Sequence, residues 1–280
     1  MLDIILETLL DGLKLVPFLF LTFLIIELLE HKANKKSLEV IKKSGKFGPI
    51  VGSLLGVIPQ CGFSVMATNL YVARVVSLGT LIAIYLSTSD EMLPILLSEQ
   101  ASISTIFLLV GIKFFIGLIM GIIIDIIYRK KKEDSFNYEI CDHDHCHCND
   151  GILIPVIKHT INILLFILLI SFIINILFET FSEEILSKIF LKNSIFGPFL
   201  ASLIGLIPNC GASVMITELF LNNAISLGST IAGLLTGSGV AILVLFKINK
   251  NIKENIVILS LVYSIGVISG ILIDLIANML

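Results

Sequence analysis

Tryptophan is absent from this 280-residue chain, and charged residues make up only 15% of it, whereas hydrophobic residues make up 56%. The mean hydropathy is +1.02, and a soluble protein of this size could not bury that much apolar surface. The composition therefore excludes a soluble globular domain and indicates an integral membrane protein. The formal net charge of −3 says little about partners, because the charges are concentrated in loops.

Two familiar catalytic or energy-coupling motifs are also missing. The chain has no glycine-rich loop of the phosphate-binding type and no His-Glu-x-x-His sequence, and no histidine lies in the middle of an apolar run. ATP is therefore excluded as the direct energy source, and an intramembrane thiol or acid catalyst is the weaker alternative. We predict that the protein is not an enzyme and needs no cofactor, and nothing indicates nucleic-acid binding.

One phrase of 24 residues occurs twice, at 47–70 and at 196–219, with 15 identical positions and a constant offset of 149 residues. The offset continues without a gap from Glu30/Glu179 to Gly121/Gly270. The chain is therefore predicted to consist of two copies of one unit.

The repeated phrase is apolar but interrupted in its middle. Proline lacks an N–H donor and glycine is conformationally permissive, so the interruption is a poor helix interior. The residues predicted to shape it are Pro59, Gln60 and Gly62 in the first copy and Pro208, Asn209 and Gly211 in the second. Each arm of about 12 residues spans roughly 18 Å, too short for about 30 Å of hydrocarbon. The phrase is either a re-entrant hairpin or two short crossings, and paired interruptions of this kind point to a transporter's binding site.

The remaining apolar runs predict the spans 13–30, 76–97, 103–128, 152–178, 225–246 and 256–279. The first is expected to be an uncleaved span, because its start is acidic and no small-residue cleavage site follows. Two further spans are interrupted, at 87–91 and at 236–239. Short lysine-rich loops at 32–46, 129–132 and 247–253 are expected in the cytoplasm.

These features predict an all-α polytopic membrane protein with two inverted-topology repeats of five elements each. The repeats are residues 1–128 and 152–280, joined by a cytoplasmic Cys/His-rich linker at 129–151. Five elements is an odd number, so the second copy starts on the opposite side and every lysine-rich loop lies on one side. Both termini are then outside, and the chain is a multi-pass protein of the inner (plasma) membrane.

Cysteines occur in both interruptions, at Cys61 and Cys210. If the interruptions enter from opposite faces, the two thiols meet near the midplane together with Ser64, Ser213, Met66 and Met215. Sulfur ligands suit soft ions such as Cu(I), Zn(II), Cd(II) and As(III). The alternatives are that the cysteines are small apolar fillers of a tight turn and that the methionines only pack.

Adjacent acids, Asp90 and Glu91, lie inside an apolar span, where carboxylates are costly and usually mark ion pathways or proton relays. The second copy has Gly239 and Val240 there, so a cation or proton site supplied mostly by the first copy is expected. The alternative is that both acids reach the outer interface.

Further candidates for proton coupling are Lys113 and Glu218, which correspond to Val262 and Asn69 in the other copy. Lys113 either neutralises Asp90 or Glu91 as a structural pair or alternates with the substrate as their partner. Asp125 and Asp274 correspond to each other near helix ends, where an interfacial role is expected.

The linker concentrates metal ligands in eight positions: Cys141, His143, His145, Cys146, His147 and Cys148. This pattern indicates metal binding rather than disulfides, and its spacing is not that of a zinc finger. A cytoplasmic chelator that senses or hands over metal fits it, and a solvated polar linker is the alternative.

The doubled Gly-Pro…Gly-x-x-Pro-x-Cys-Gly-x-Ser-Val-Met phrase and the Cys/His linker resemble the ten-helix heavy-metal exporter family over nearly the whole chain. Members of that family also carry the labels arsenic efflux protein and manganese transporter. The resemblance implies an inner-membrane permease that moves a metal or metalloid ion outward. The thiols favour soft ions, whereas Asp90 and Glu91 keep manganese or zinc open.

The function predicted from these observations is secondary-active export of a heavy-metal or metalloid ion, coupled to protons through Asp90 or Glu91. The alternative is a metal-responsive membrane sensor with the linker as its binding element. The expected partners are the transported ion and the lipid bilayer, and a homo-oligomer is compatible with the sequence.

Overall fold

The computed structural model describes residues 2–32, 47–89, 91–129, 153–180 and 196–279. These residues form twelve helices and no strand. In chain order the helices are α1 (Leu2–Lys32), α2 (Gly48–Gly56), α3 (Gly62–Val72), α4 (Leu78–Ser87), α5 (Met92–Ser98), α6 (Ile103–Arg129), α7 (Leu153–Thr180), α8 (Gly197–Gly205), α9 (Cys210–Leu221), α10 (Leu227–Thr236), α11 (Ala241–Ile248) and α12 (Ile252–Met279).

The helix bounds repeat with the offset found in the sequence. Helices α2, α4, α5 and α6 begin 149 residues before α8, α10, α11 and α12. The first span is longer than the predicted 13–30, because its helix begins at Leu2.

Both predicted interruptions of the repeated phrase are confirmed. Helix α2 ends at Gly56 and α3 begins at Gly62, and in the second copy α8 ends at Gly205 and α9 begins at Cys210. We call these connections, residues 57–61 and 206–209, the first breaks. Their prolines cannot donate a backbone hydrogen bond, and each following residue instead closes a short turn, with Gln60 N to Ile58 O at 2.8 Å and Asn209 N to Ile207 O at 2.7 Å.

The interruptions predicted in the next spans are also confirmed. Helix α4 ends at Ser87 before α5 begins at Met92, and α10 ends at Thr236 before α11 begins at Ala241. We call residues 88–91 and 237–240 the second breaks. Within the described residues, five stretches are long and apolar enough to cross a membrane: Leu78–Ser98, Ile103–Tyr128, Leu153–Ile173, Leu227–Ile248 and Ile252–Met279.

Large apolar side chains cover the outside of the long helices. On α6 alone, Phe107 is 74% exposed and Phe115 is 60% exposed. An apolar surface of this kind suits contact with lipid rather than water. The described helices and their surface are consistent with a polytopic membrane protein.

Close contacts of glycines give the directions of the helices within a copy. Gly48, Gly52 and Gly56 of α2 pack in that order against Thr80, Ile84 and Ser87 of α4. Helices α2 and α4 therefore run side by side in the same direction. Since α3 connects the far end of α2 to the start of α4, the chain doubles back at the first break. Gly197 against Ser229 and Gly205 against Thr236 give the same arrangement in the second copy.

The long helix that closes each copy runs antiparallel to the half-helix beside it. In the first copy, Gly79 of α4 packs against Gly121 and Asp125 near the end of α6, and Gly117 packs against Ser87. Helix α6 therefore ends where α4 begins. Gly228 packs against Gly270 and Asp274 in the same way in the second copy.

The contacts between the copies are reciprocal. Helix α3 packs against α11 and α9 packs against α5, while α1 packs against α7 and α4 against α10. Phe23 of α1 stacks on His159 of α7 with ring centroids 5.6 Å apart, and Gly12 contacts Leu168, so α1 and α7 run antiparallel. At one end of the molecule, Arg74 follows α3 and binds Glu254 at the start of α12, with an N–O distance of 2.8 Å.

Candidate functional site

The two breaks of each copy lie against one another. In the first copy, Ser89 N of the second break donates a hydrogen bond of 3.2 Å to Gly56 O, where the first break begins. In the second copy, Thr236 Oγ1 donates to Ser202 O at 2.9 Å, and Gly237 packs against the hydroxyl of Ser213. The second breaks are buried where they meet these neighbours, whereas Ile58 and Pro59 of the first break are exposed.

Lys113 of α6 links the second break of the first copy to helix α10 of the second copy. Its side chain is only 1% exposed, and its ammonium donates hydrogen bonds to Thr88 O and, at 2.8 Å, to Leu234 O. Thr88 lies at the C-terminal end of α4 in the first copy, and Leu234 lies in the last turn of α10 in the second. Carbonyl groups at helix C-termini have no partner within the helix and carry partial negative charge, so they attract a cation.

A second polar link crosses the interface near Lys113. The Tyr85 hydroxyl on α4 lies 2.6 Å from Thr68 Oγ1 on α3 and 3.5 Å from the carbonyl oxygen of Ala241, the first residue of α11. Thr68 and Tyr85 have no exposed surface. The helices that carry the breaks thus meet through hydrogen bonds inside the apolar core. We call this region, with Lys113 at its centre, the junction.

Two of the predicted substrate ligands lie together beside the first break of the first copy. Cys61 precedes α3 and is 8% exposed, and Ser64 Oγ donates to Cys61 O at 2.8 Å. Gly62 packs directly against Phe18, so this break is held against α1. Met66 is half-buried on the same helix.

The corresponding residues of the second copy surround the start of α9. Ser213 and Met215 are buried, and Asn209 Oδ1 accepts a hydrogen bond of 3.4 Å from Gly211 N. The side chain of Cys210 is outside the described part of the structure. The approach of Cys61 and Cys210 therefore stays a prediction.

Of the candidate coupling residues, the structure describes Glu91 and Glu218 in addition to Lys113. Glu91 is half-buried and precedes α5, and Glu218 is half-buried on α9, where the first copy has the buried Asn69. Asp90 lies outside the described residues, as do the six linker residues Cys141, His143, His145, Cys146, His147 and Cys148. Their predicted roles stay predictions.

Three buried oxygen atoms have no hydrogen-bond partner among the described residues: Asn69 Oδ1, Ser202 Oγ and Ser238 Oγ. Ser238 belongs to the second break of the second copy and has no exposed surface. Buried polar atoms are normally paired, so such oxygens are available to an ion or to water. Within the described residues, no group of three or more His, Cys, Asp and Glu side chains lies close enough to hold a metal. The possible metal ligands at the junction are mainly carbonyl and hydroxyl oxygens.

The sequence did not predict the role of Asp125 and Asp274. Asp125 accepts from Ser77 Oγ at 2.7 Å and from Gly79 N at 2.9 Å, and thereby holds the start of α4. Asp274 does the same for α10, accepting from Ser226 Oγ and Gly228 N, each at 2.8 Å. The repeated Ser-Leu-Gly sequence, with an aspartate at the same distance in both copies, is the signal that could have found it.

The sequence also did not predict the contact at the Arg74 end. Arg74 donates two hydrogen bonds to the Glu254 carboxylate, at 2.8 and 3.1 Å, and the Tyr71 hydroxyl donates to the same group. Hydrogen bonding to Glu254 raises the pKa of Arg74. The equivalents are Phe220, Asn223 and Thr105, so the opposite end cannot form this ion pair. We call Tyr71, Arg74 and Glu254 the latch.

Comparison with known protein families matches residues 1–193 and 166–279 to the family model ArsP_2, described as "Putative, 10TM heavy-metal exporter". No curated protein and no solved structure matches the chain. The two matched segments together cover nearly all of the 280 residues, including every helix described above. The chain therefore belongs to this ten-transmembrane heavy-metal exporter family.

Proposed function

We propose that the protein is a secondary-active exporter that moves a heavy-metal or metalloid ion out of the cytoplasm through the junction. The observation that carries this proposal is the meeting of interrupted helices from both copies around the buried ammonium of Lys113. Irregular backbone at membrane depth is tolerated only where it is buried in protein or lines a wet path, and it is where transporters bind ions. The family description supports the same class of function.

The copies are inverted with respect to the membrane in this proposal. Support comes from the two equivalent long helices: α6 ends beside Ser77, whereas α12 begins with Glu254 beside Arg74, only three residues away. Equivalent helices thus run in opposite directions. Repeats 1–128 and 152–280 then face opposite sides, and each pair of arms around a first break is a re-entrant hairpin.

The side of the membrane follows from charge. The latch joins the loop after α3 to Glu254 in the first turn of α12. Lys247 and Lys250 precede this helix, and Lys253 is its second residue. Lysine-rich short loops favour the cytoplasm, so the latch end is cytoplasmic. The linker is then cytoplasmic too, and both termini are outside the inner membrane.

Soft metal ions or As(III) are the proposed substrates. The Cys61 sulfur, and that of Cys210 if the two breaks approach, supplies soft ligands next to the hydroxyls of Ser64 and Ser213. Asp90 or Glu91 supplies the coupling site. Its carboxylate binds either the metal cation or a proton, so rebinding of a proton expels the cation and drives export. The linker cysteines and histidines collect metal on the cytoplasmic side and deliver it.

An uptake panel in everted vesicles tests the proposal. Vesicles with the full chain are given As(III), Zn(II), Cd(II), Mn(II) or Cu(I) together with a pH gradient, and vesicles without the protein are the control. Accumulation of at least one ion above the control, abolished by a protonophore, supports proton-coupled export. No accumulation of any of the five ions contradicts it.

Deleting residues 141–148 separates export from the alternative of metal sensing. An exporter keeps residual flux in vesicles without the linker ligands, because its path lies through the junction. A sensor has no flux to retain and loses its metal response. Cysteine-accessibility labelling in intact cells tests the orientation, and a linker labelled from outside would contradict the inverted arrangement.

A further inference from the structure

The amino group of Lys113 lies at the C-terminal ends of two half-helices, one from each copy. Its ammonium donates to Thr88 O and to Leu234 O while its side chain is 1% exposed. Helix α4 ends at Ser87 and α10 ends at Thr236. Both carbonyl groups therefore belong to C-terminal turns, whose partial negative charges converge on one point from the two copies. Carbonyl oxygens gathered in this way are ligands of the kind that a hard cation takes.

We propose that Thr88 O and Leu234 O form part of a cation-binding site and that the Lys113 ammonium is its tethered occupant. The oxygen ligands select a hard alkali cation such as Na⁺ or K⁺ over a soft one. Half-buried Glu91 follows Thr88 by three residues and adds negative charge to the same break. With lysine in place, the protein needs no free alkali cation to hold the two half-helices together.

One consequence for transport rests on the function proposed above. The stem of Lys113 is fixed to α6 of the first copy, and its ammonium holds α10 of the second copy. Any movement that separates the copies must withdraw the ammonium from Leu234 O. Because Thr88 O and Leu234 O belong to different copies, the same movement divides the site, so the site is complete only while the copies are in contact.

The second copy supplies a matched control. Val262 takes the place of Lys113 and has no exposed surface. A buried valine carries no charge, so the second copy has no equivalent occupant. Val262→Ala therefore removes buried atoms at the same helix position without removing a cation.

Thermal unfolding of the solubilised full-length protein tests the site without requiring transport. Wild type, Lys113→Ala, Lys113→Met and Val262→Ala are compared in NaCl, KCl and N-methyl-D-glucamine chloride at equal ionic strength. We expect Lys113→Ala to unfold at a lower temperature than wild type. Na⁺ or K⁺, but not the bulky organic cation, should raise its Tm saturably by about 2–6 °C. Wild type and Val262→Ala should not respond.

A Tm of Lys113→Ala that is equally sensitive to all three salts overturns the proposal. Lys113→Met is included in case the alanine variant does not fold, since methionine keeps most of the side-chain volume while removing the charge. If neither variant can be recovered folded in NaCl or KCl, the proposal also fails, because a free cation should replace the ammonium. The vesicle panel is a separate readout, so this site can stand or fall independently of metal export.

Discussion

The two copies share a backbone plan and differ in the chemistry of their second breaks. The first copy has Asp90, Glu91 and Lys113, whereas the second has Gly239, Val240 and Val262 at the equivalent positions. Gly239 has a φ of 55°, a conformation that glycine adopts without strain. Duplication thus supplies the scaffold twice, and the charges are concentrated in one copy.

Features that hold the scaffold are, by contrast, the same in both copies. The aspartates at the ends of α6 and α12 bind the starts of α4 and α10 with hydrogen bonds of 2.7–2.9 Å. Comparing the copies therefore separates repeated features, which include the aspartates and the candidate ligands Cys61 and Cys210, from the charged candidates for coupling, which occur once. The following predictions test that separation, beginning with the largest effect.

Neutralising the acids of the first copy should abolish transport. We expect Asp90→Asn or Glu91→Gln to reduce pH-driven metal accumulation in everted vesicles to the level of empty vesicles, while the protein still inserts. Ser238→Ala, at the second break of the other copy, should have a milder effect. Unchanged pH dependence in both carboxylate variants would move the coupling site elsewhere, with Glu218 as the next candidate.

Filling the contact between the breaks should destabilise both copies. A Cβ on Gly56 would lie 2.0 Å from Ser87 Oγ, and one on Gly205 would lie 2.1 Å from Gly233 O. We expect Gly56→Ala and Gly205→Ala each to lower the free energy of unfolding by about 1–3 kcal/mol. Gly111→Ala is the control, because nothing lies within 4 Å of its Cβ position. Chemical denaturation measures all three, and equal stability would refute the close packing.

Replacing Asp125 or Asp274 should lower the free energy of unfolding by the same amount in each copy. Asp125→Asn and Asp274→Asn keep the shape but lose the charge that holds two donors, so we expect each to destabilise by about 1–2 kcal/mol. Thermal unfolding of the single variants and of the pair measures this. A much larger effect at one aspartate would show that the copies differ at this position as well.

Breaking the ion pair between Arg74 and Glu254 should have the smallest effect on stability. Arg74 is 38% exposed, so solvent screening limits the contribution of its ion pair to about 1 kcal/mol. We expect Arg74→Ala to lower Tm by a few degrees at most and to increase labelling of the junction from the cytoplasmic side. Asn223→Ala, at the equivalent position of the second copy, should change neither measurement. Equal increases in labelling in both variants would show that the latch does not limit access to the junction from the cytoplasmic side.

The sequence predicted the repeat, the four breaks and the all-helical class, because proline, glycine and apolar runs act locally on the backbone. It did not predict that Lys113 would bind Thr88 O and Leu234 O. Every residue carries a carbonyl group, and only the arrangement of helices decides which carbonyls converge. The pairing of Arg74 with Glu254 could not be predicted either, because 180 residues separate them in the chain and only the arrangement of helices brings them together.

The site was predicted only in part, because its residues act through non-local geometry. The doubled pattern identified Cys61, Ser64 and Ser213, and the structure places these residues beside the breaks. Asp125 and Asp274 were expected near helix ends with an interfacial role, and the structure adds that each binds the start of a half-helix. A hydrogen bond between a helix end and a helix start depends on the register of two packed helices, which composition does not specify.

The central claim is that the transported ion binds where the breaks of the two copies meet. Anomalous diffraction from crystals of the full chain soaked with Cd(II) tests it most directly, because the signal locates the ion itself. We predict an anomalous peak at the junction, within bonding distance of the first or second break of the first copy, in addition to any peak at the linker. A peak at the linker alone would contradict export through the junction and favour a metal sensor.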